Sequence, residues 1–165
     1  LERLIAAYDQ FCQGKTAPPY LVLAGGKGWL DSGIYKKVEE LGLGDLVKFT
    51  EYVPDEEICP LMCGALVFVF PSIYEGFGLP PLEAMACGVP VLTTHAASLP
   101  EVVGEDAVVA DPYSPESIAA GLEQLYTDEA LRQKLREAGP KRAAQFTWER
   151  SAEQLYAVYQ EACRE

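Results

Sequence analysis

A chain of 165 residues has the length of one domain with a sizeable core, and its 49% apolar and 23% charged residues are the balance of a soluble globular protein. No apolar run is long enough to span a membrane, and the opening residues do not read as a signal peptide. The formal net charge of −12 argues against nucleic acid as a partner, because phosphate-backbone binding is driven by clustered Lys and Arg, and against adhesion to an anionic membrane.

Helix and strand signals alternate along the whole chain. Leu1 to Gln13 reads as an amphipathic helix, Tyr20 to Ala24 as a strand ending at Gly25-Gly26, and Ile34 to Leu41 as a helix stopped by Gly42. Leu46 to Thr50 is the next strand, followed by the loop Tyr52-Val53-Pro54 and a short helix from Pro54 to Met62. The unbroken apolar run Leu66 to Phe70 reads as a strand buried on both faces. A helix-forming run around Leu82 to Ala86 then follows, with Pro81 suited to its first turn and Gly88 to its end. Val89 to Thr93 and Ala107 to Ala110 are the last strands, before helices that start at Pro115, Asp128 and Thr147. Ser114 precedes the first of these as a capping hydroxyl. Ile118, Leu122 and Leu125 form one apolar stripe, and Leu131, Leu135 and Ala138 the next.

This order implies an α/β domain, a doubly wound and mainly parallel Rossmann-like sheet with helices on both faces. The unusual residues lie in loops at strand C-terminal ends, where such sheets bind ligands. Residues 1–165 read as a single domain that enters directly into helical periodicity at Leu1, where a sheet of this kind begins with a strand. The expectation is therefore a piece of a longer protein, with the first strand of the sheet upstream.

Five cysteines form an odd, scattered set. Cys59 and Cys63 are four apart on a helix, but no second pair and no neighbouring His completes a zinc site, and Cys87 reads as a small packed thiol. Packing in a reducing compartment is the expectation. His95 is the only histidine, and no nucleophile turn accompanies it.

The run Glu75-Gly76-Phe77-Gly78-Leu79-Pro80-Pro81-Leu82-Glu83 is the most informative stretch. It sets one carboxylate on a strand-to-helix loop and another about one turn into the helix, with two glycines and backbone amides at the positive helix end between them. Carboxylates accept from hydroxyls and amides hold an anion, so the arrangement suits a ligand with a polyol at one end and negative charge in the middle. The plainer reading is two surface acids, one of them matching a helix dipole. Gly25 and Gly26 either end a strand or face a ligand, and Lys27 after them reads as a solvated side chain or a ligand contact.

The segment Pro71 to Val91 resembles the signature of the retaining glycosyltransferases of family 4, which have the GT-B fold, and Ser98-Leu99-Pro100-Glu101-Val102-Val103-Gly104 and Phe146-Thr147-Trp148 are similar to further blocks of that family. The resemblance implies the C-terminal, donor-binding half of a two-domain enzyme that transfers a hexose from a nucleotide diphosphate sugar with retention. It implies that Glu75 meets the donor sugar near the reacting centre, and that Gly76, Phe77, Gly78 and Leu79 approach sugar and phosphates. It also implies that Glu83 bonds the ribose and that Gly25, Gly26, Tyr52 and Val53 line the nucleotide. No metal or other cofactor is implied; the family neutralises its leaving group with an Arg and a Lys upstream of Leu1. An N-terminal domain would supply the acceptor, lipid-linked or sugar, so the chain alone is expected to transfer nothing. The enzyme would be cytoplasmic, either free or peripheral to the inner membrane, with a mannosyl- or glucosyltransferase of polysaccharide or glycolipid assembly (GDP-mannose or UDP-glucose) as the nearest type. Three alternatives are a two-carboxylate glycosidase, a non-catalytic nucleotide-binding or assembly module, and a sugar-nucleotide epimerase.

Overall fold

The computed structural model describes residues 1–26 and 32–164, so Lys27 lies outside the described residues. Most of the expected elements appear close to their expected bounds. The order is α1 (Glu2–Cys12), β1 (Leu21–Ala24), α2 (Ser32–Glu40), β2 (Val47–Glu51), α3 (Asp55–Cys63), β3 (Phe68–Val69), α4 (Leu79–Ala86) and β4 (Val91–Thr94). There follow α5 (Leu99–Val103), β5 (Val108–Ala110), α6 (Pro115–Thr127), α7 (Glu129–Ala143) and α8 (Trp148–Ala162). The last three helices start where a side-chain oxygen accepts from the first turn: Ser114 from the Ser117 N–H, Asp128 from Leu131 and Thr147 from Arg150.

All strand pairs are parallel, as alternating strands and helices require. They form two sheets rather than one: β1 with β2, and β3-β4-β5 with β4 in the middle. Among the described residues, one edge of β1 and one edge of β3 have no strand partner.

The three-stranded sheet is covered on both faces. Successive β4 residues point to opposite sides, so Leu92 joins a core built from α1, α6 and both sheets, whereas Val91 joins a second core with Leu82, Ala84 and Met85 of α4 and Val102 and Val103 of α5. The β1–β2 sheet is covered on one face. Leu21 and Val47 are buried in the first core, while Val22 and Lys48 are exposed. The Leu66–Phe70 run departs from expectation. Only Phe68 and Val69 form strand and the whole run is half-buried, because β3 has a partner on one side only. The strand buried along its full length is β4, which is flanked on both sides.

Helix α4 begins at Leu79, three residues before the expected helical run, with both prolines in its first turn. It ends in a Schellman motif: Val89 N–H donates to the Ala84 carbonyl and Gly88 N–H to that of Met85, with Gly88 at φ +69°. Along α8 the apolar side chains Leu155, Tyr156, Val158 and Tyr159 are exposed.

Candidate functional site

The loop from β3 to α4 carries the predicted run, and it is held from outside itself. Thr93 and Thr94 end β4 fully buried, so their hydroxyls need partners. They find them in the neighbouring loop: Thr93 Oγ1 donates to the Phe70 carbonyl (3.1 Å) and Thr94 Oγ1 to that of Ser72 (2.6 Å). Ser98, which precedes α5, places its hydroxyl 3.1 Å from the Glu75 carbonyl and 2.8 Å from that of Phe77. The Phe77 ring meets Phe146 edge to face at 5.8 Å, and so joins the motif to the Phe146-Thr147-Trp148 block. Arg142 lies over Phe146 at 5.1 Å and donates to the carbonyls of Glu101 and Val102, the last turn of α5.

Within this frame Glu75 is half-buried, and its Oε1 accepts from the Ser72 hydroxyl at 2.8 Å. The same hydroxyl lies 3.1 Å from the Tyr74 carbonyl, but its one proton favours the shorter, charge-assisted bond to the carboxylate. Glu75 is thus oriented while its second oxygen retains acceptor capacity. Among the described residues, none accepts from the backbone N–H of Gly76, Phe77, Gly78 or Leu79. The anion-holding part of the helix end is narrower than the sequence implied, since Pro80 and Pro81 carry no N–H and Leu82 already donates to the Gly78 carbonyl. Glu83 is exposed on α4, one turn from its start.

The two motif glycines differ. A Cβ on Gly76 meets no atom of the described residues within 4 Å. Gly78 has φ +105°, and a Cβ there would lie 2.7 Å from Leu99 Cδ2. The Cβ direction of Gly78 faces the protein, so backbone conformation and packing on α5 demand glycine there.

Gly25, Gly26, Tyr52 and Val53 gather at the C-terminal ends of β1 and β2. Gly25 N–H donates to the Glu51 carbonyl at 3.0 Å, and the register slips by one residue between Leu23 and Ala24. Tyr52 and Gly26 are exposed and Val53 is half-buried. Among the described residues no hydrogen bond or ion pair joins this group to the Glu75–Glu83 loop. Both groups lie beyond the C-terminal ends of parallel strands, as expected of a ligand face. The non-glycine residues with left-handed φ, Glu51 (+58°) and Ala97 (+49°), lie on the same ends. His95 is exposed between them and α5. Two shallow hollows, of about 360 and 340 Å³, lie elsewhere, along α7 and beside Leu1, Glu2, Arg3 and Ile34.

Sequence reading missed the supports Ser72, Thr93, Thr94 and Ser98. The available signal was Thr93-Thr94 closing an apolar strand, since hydroxyls that enter a core must bond to something.

The sequence profile described as "Glycosyl transferases group 1" matches residues 1–142. The chain belongs to the group 1 glycosyl transferases. It is 42% identical over 157 residues to the O-antigen chain mannosyltransferase B of Escherichia coli, covering 94% of this chain and 41% of that protein. It is 39% identical over 131 residues to the MMP alpha-(1->4)-mannosyltransferase of Mycolicibacterium hassiacum, covering 77% and 32%. The chain thus spans about two fifths or less of these curated relatives. Among solved structures, the sucrose-phosphate synthase of Thermosynechococcus elongatus superposes with a TM-score of 0.84 at 31% identity, over 99% of this chain and 42% of that one. The C-terminal domain of the group 1 family protein LpcC from Francisella tularensis gives 0.77 at 29% identity, over 87% and 77%. These neighbours share the GT-B glycosyltransferase architecture, and the group 1 chain has the mixed α/β, parallel-stranded fold expected of it. Among the described residues, no helix is long and apolar enough to cross a membrane.

Proposed function

We propose that this group 1 chain is the donor-binding domain of a retaining hexosyltransferase that acts with a further domain of a longer protein. A nucleoside diphosphate hexose lies along the β3–α4 loop. Glu75 receives hydroxyls of the sugar beside the reacting carbon, the amides of Gly76 to Leu79 receive sugar and diphosphate oxygens, and Glu83 receives the ribose. The base lies toward Gly25, Gly26, Tyr52 and Val53. The leaving diphosphate is stabilised by fixed donors rather than by a bound metal. The observation that carries this reading is the loop itself: a carboxylate oriented by Ser72, four amides without a partner among the described residues and an exposed glutamate one turn into α4, in that order along a chain of this family.

GDP-mannose is the proposed donor and polysaccharide assembly the setting, on the strength of the mannosyltransferase names of the relatives. The acceptor is a sugar or a lipid-linked sugar met by the second domain, and the enzyme works in the cytoplasm. The test is product analysis with the full-length protein and labelled GDP-mannose, UDP-glucose and ADP-glucose, with and without a chelator. Mannose transfer from GDP-mannose with the anomeric configuration kept, unaffected by the chelator, is the expected result. Failure of every sugar nucleotide to bind the full-length protein overturns the transferase reading, and an inverted product overturns retention.

A further inference from the structure

Cys59, Cys63 and Cys87 converge at the C-terminal end of α4. Cys59 and Cys63 are one helical turn apart on α3 and so share a face. Cys87 is the C-cap of α4, fixed by the Schellman turn at Gly88. The sequence offered only a pair; the fold brings a third thiol to it from 24 residues away. Cys59 Sγ is 3.5 Å from Cys87 Sγ and 3.9 Å from Cys63 Sγ, and all three sulfurs lie within 4.8 Å of one another. Tetrahedral coordination with metal–sulfur bonds of about 2.3 Å sets ligand sulfurs about 3.8 Å apart. The two closest pairs lie on either side of that value, so a cation needs only small rotamer adjustments.

We propose that these three thiols form a binding site for a soft d10 cation, zinc(II) or copper(I). Soft thiolates select such ions over magnesium or calcium, which require oxygen ligands. Cys59 and Cys63 are exposed and Cys87 is half-buried, so the ion has a path in from solvent, and water completes a zinc tetrahedron. Without the ion, burial and then the hydrogen bonds with Cys59 and Cys63 push the Cys87 thiol up to about 12. Binding replaces the thiol protons, which leave to solvent, and no oxidant or reductant is needed. The site takes no part in the proposed sugar chemistry. From Cys87 to the start of α4 is about 12 Å at 1.5 Å per residue. The ion's effect is to tie α3, which follows the Tyr52-Val53 loop, to the far end of the helix that carries Glu83.

The test uses full-length protein, reduced and stripped of metal, titrated with zinc(II), with copper(I) under competition from a chromogenic chelator, and with cobalt(II) as an optical probe. The expected result is one equivalent bound, a sulfur-to-cobalt charge-transfer band, and a competition order that identifies which ion is preferred. Cys59→Ser and Cys63→Ser, both at exposed positions, should each weaken binding by about tenfold or more. Cys163→Ser, beyond α8, should leave it unchanged. Uptake that is absent for both ions, or equally tight in Cys59→Ser and Cys63→Ser, overturns the site. So does a Cys59–Cys87 disulfide whose reduction restores no metal binding.

Discussion

Gly78→Ala isolates what the backbone of the β3–α4 loop demands. At φ +105° an L residue carries strain of about 1–3 kcal/mol. The added methyl also lies 2.7 Å from Leu99 Cδ2, and Leu99 is fully buried. Overpacking of that kind costs about 1–3 kcal/mol. The sum, about 2–6 kcal/mol, is a large part of a domain stability of about 5–15 kcal/mol. At roughly 2–4 °C per kcal/mol for a chain of this size, the melting temperature should fall by at least about 4 °C. Urea unfolding followed by circular dichroism measures the free energy, and a cycle with Leu99→Ala separates its parts. Leu99→Ala alone costs about 2–5 kcal/mol as a cavity. In the double variant the steric part disappears and the strain stays, so the two changes should couple by about 1–3 kcal/mol. Gly78→Ala within about 0.5 kcal/mol of the parent, or strict additivity with Leu99→Ala, refutes the reasoning.

Gly76→Ala should leave stability within about 0.5 kcal/mol, since its Cβ meets nothing, while weakening sugar-nucleotide binding in calorimetry if the open space is the ligand's. Thr94→Val keeps the shape but strips the donor from the half-buried Ser72 carbonyl and from its own buried position, and should cost about 1–3 kcal/mol in urea unfolding. Ser98→Ala should cost about 0.5–1.5 kcal/mol and speed hydrogen exchange across residues 75–79, because its one hydroxyl proton bonds the Phe77 carbonyl at 2.8 Å with the Glu75 carbonyl 3.1 Å away. Glu83→Ala should change stability by less than about 0.5 kcal/mol, because Glu83 is exposed, yet raise the Kd for a nucleoside diphosphate by on the order of 10- to 100-fold.

Local signals carried most of the fold. The capping oxygens of Ser114, Asp128 and Thr147 are where the sequence placed helix starts, because caps and first turns are contiguous in the chain. Helix α5 was not legible: five residues with Pro100 inside are too short to show a period. The burial of Leu66 to Phe70 was misjudged for a different reason. Whether an apolar strand is central or marginal depends on which strands flank it, and that pairing is not written in the strand itself. The same boundary runs through the site. Glu75, the four amides and Glu83 are consecutive or nearly so and could be read, whereas the hydroxyls that hold the loop from outside come from the end of β4 and from Ser98 before α5. The third thiol of the Cys59–Cys63 pair was hidden likewise, in a helix end whose neighbour is set by packing.

Those hydroxyls also bear on how a chain of net charge −12 could hold a diphosphate. The carbonyls of Phe70, Ser72 and Phe77 accept from Thr93, Thr94 and Ser98, with the Glu75 carbonyl 3.1 Å from the same Ser98 hydroxyl, so much of the loop's negative charge is taken up by β4 and the residue before α5. The N–H groups of Gly76 to Leu79 have no such partners among the described residues. A backbone with its acceptors satisfied and its donors free is locally positive whatever the surrounding formal charge, and the start of α4 adds the positive end of a helix dipole. Amides hold an anion without the long, flexible cation of Lys or Arg, and without the cost of ordering it. On the proposed reading, Thr94 and Ser98 are therefore positioning residues. Their loss should weaken donor binding by loosening the loop, and Gly76→Ala should weaken it by filling the space while the loop stays rigid. Hydrogen exchange of residues 75–79 distinguishes the two routes to the same loss of affinity.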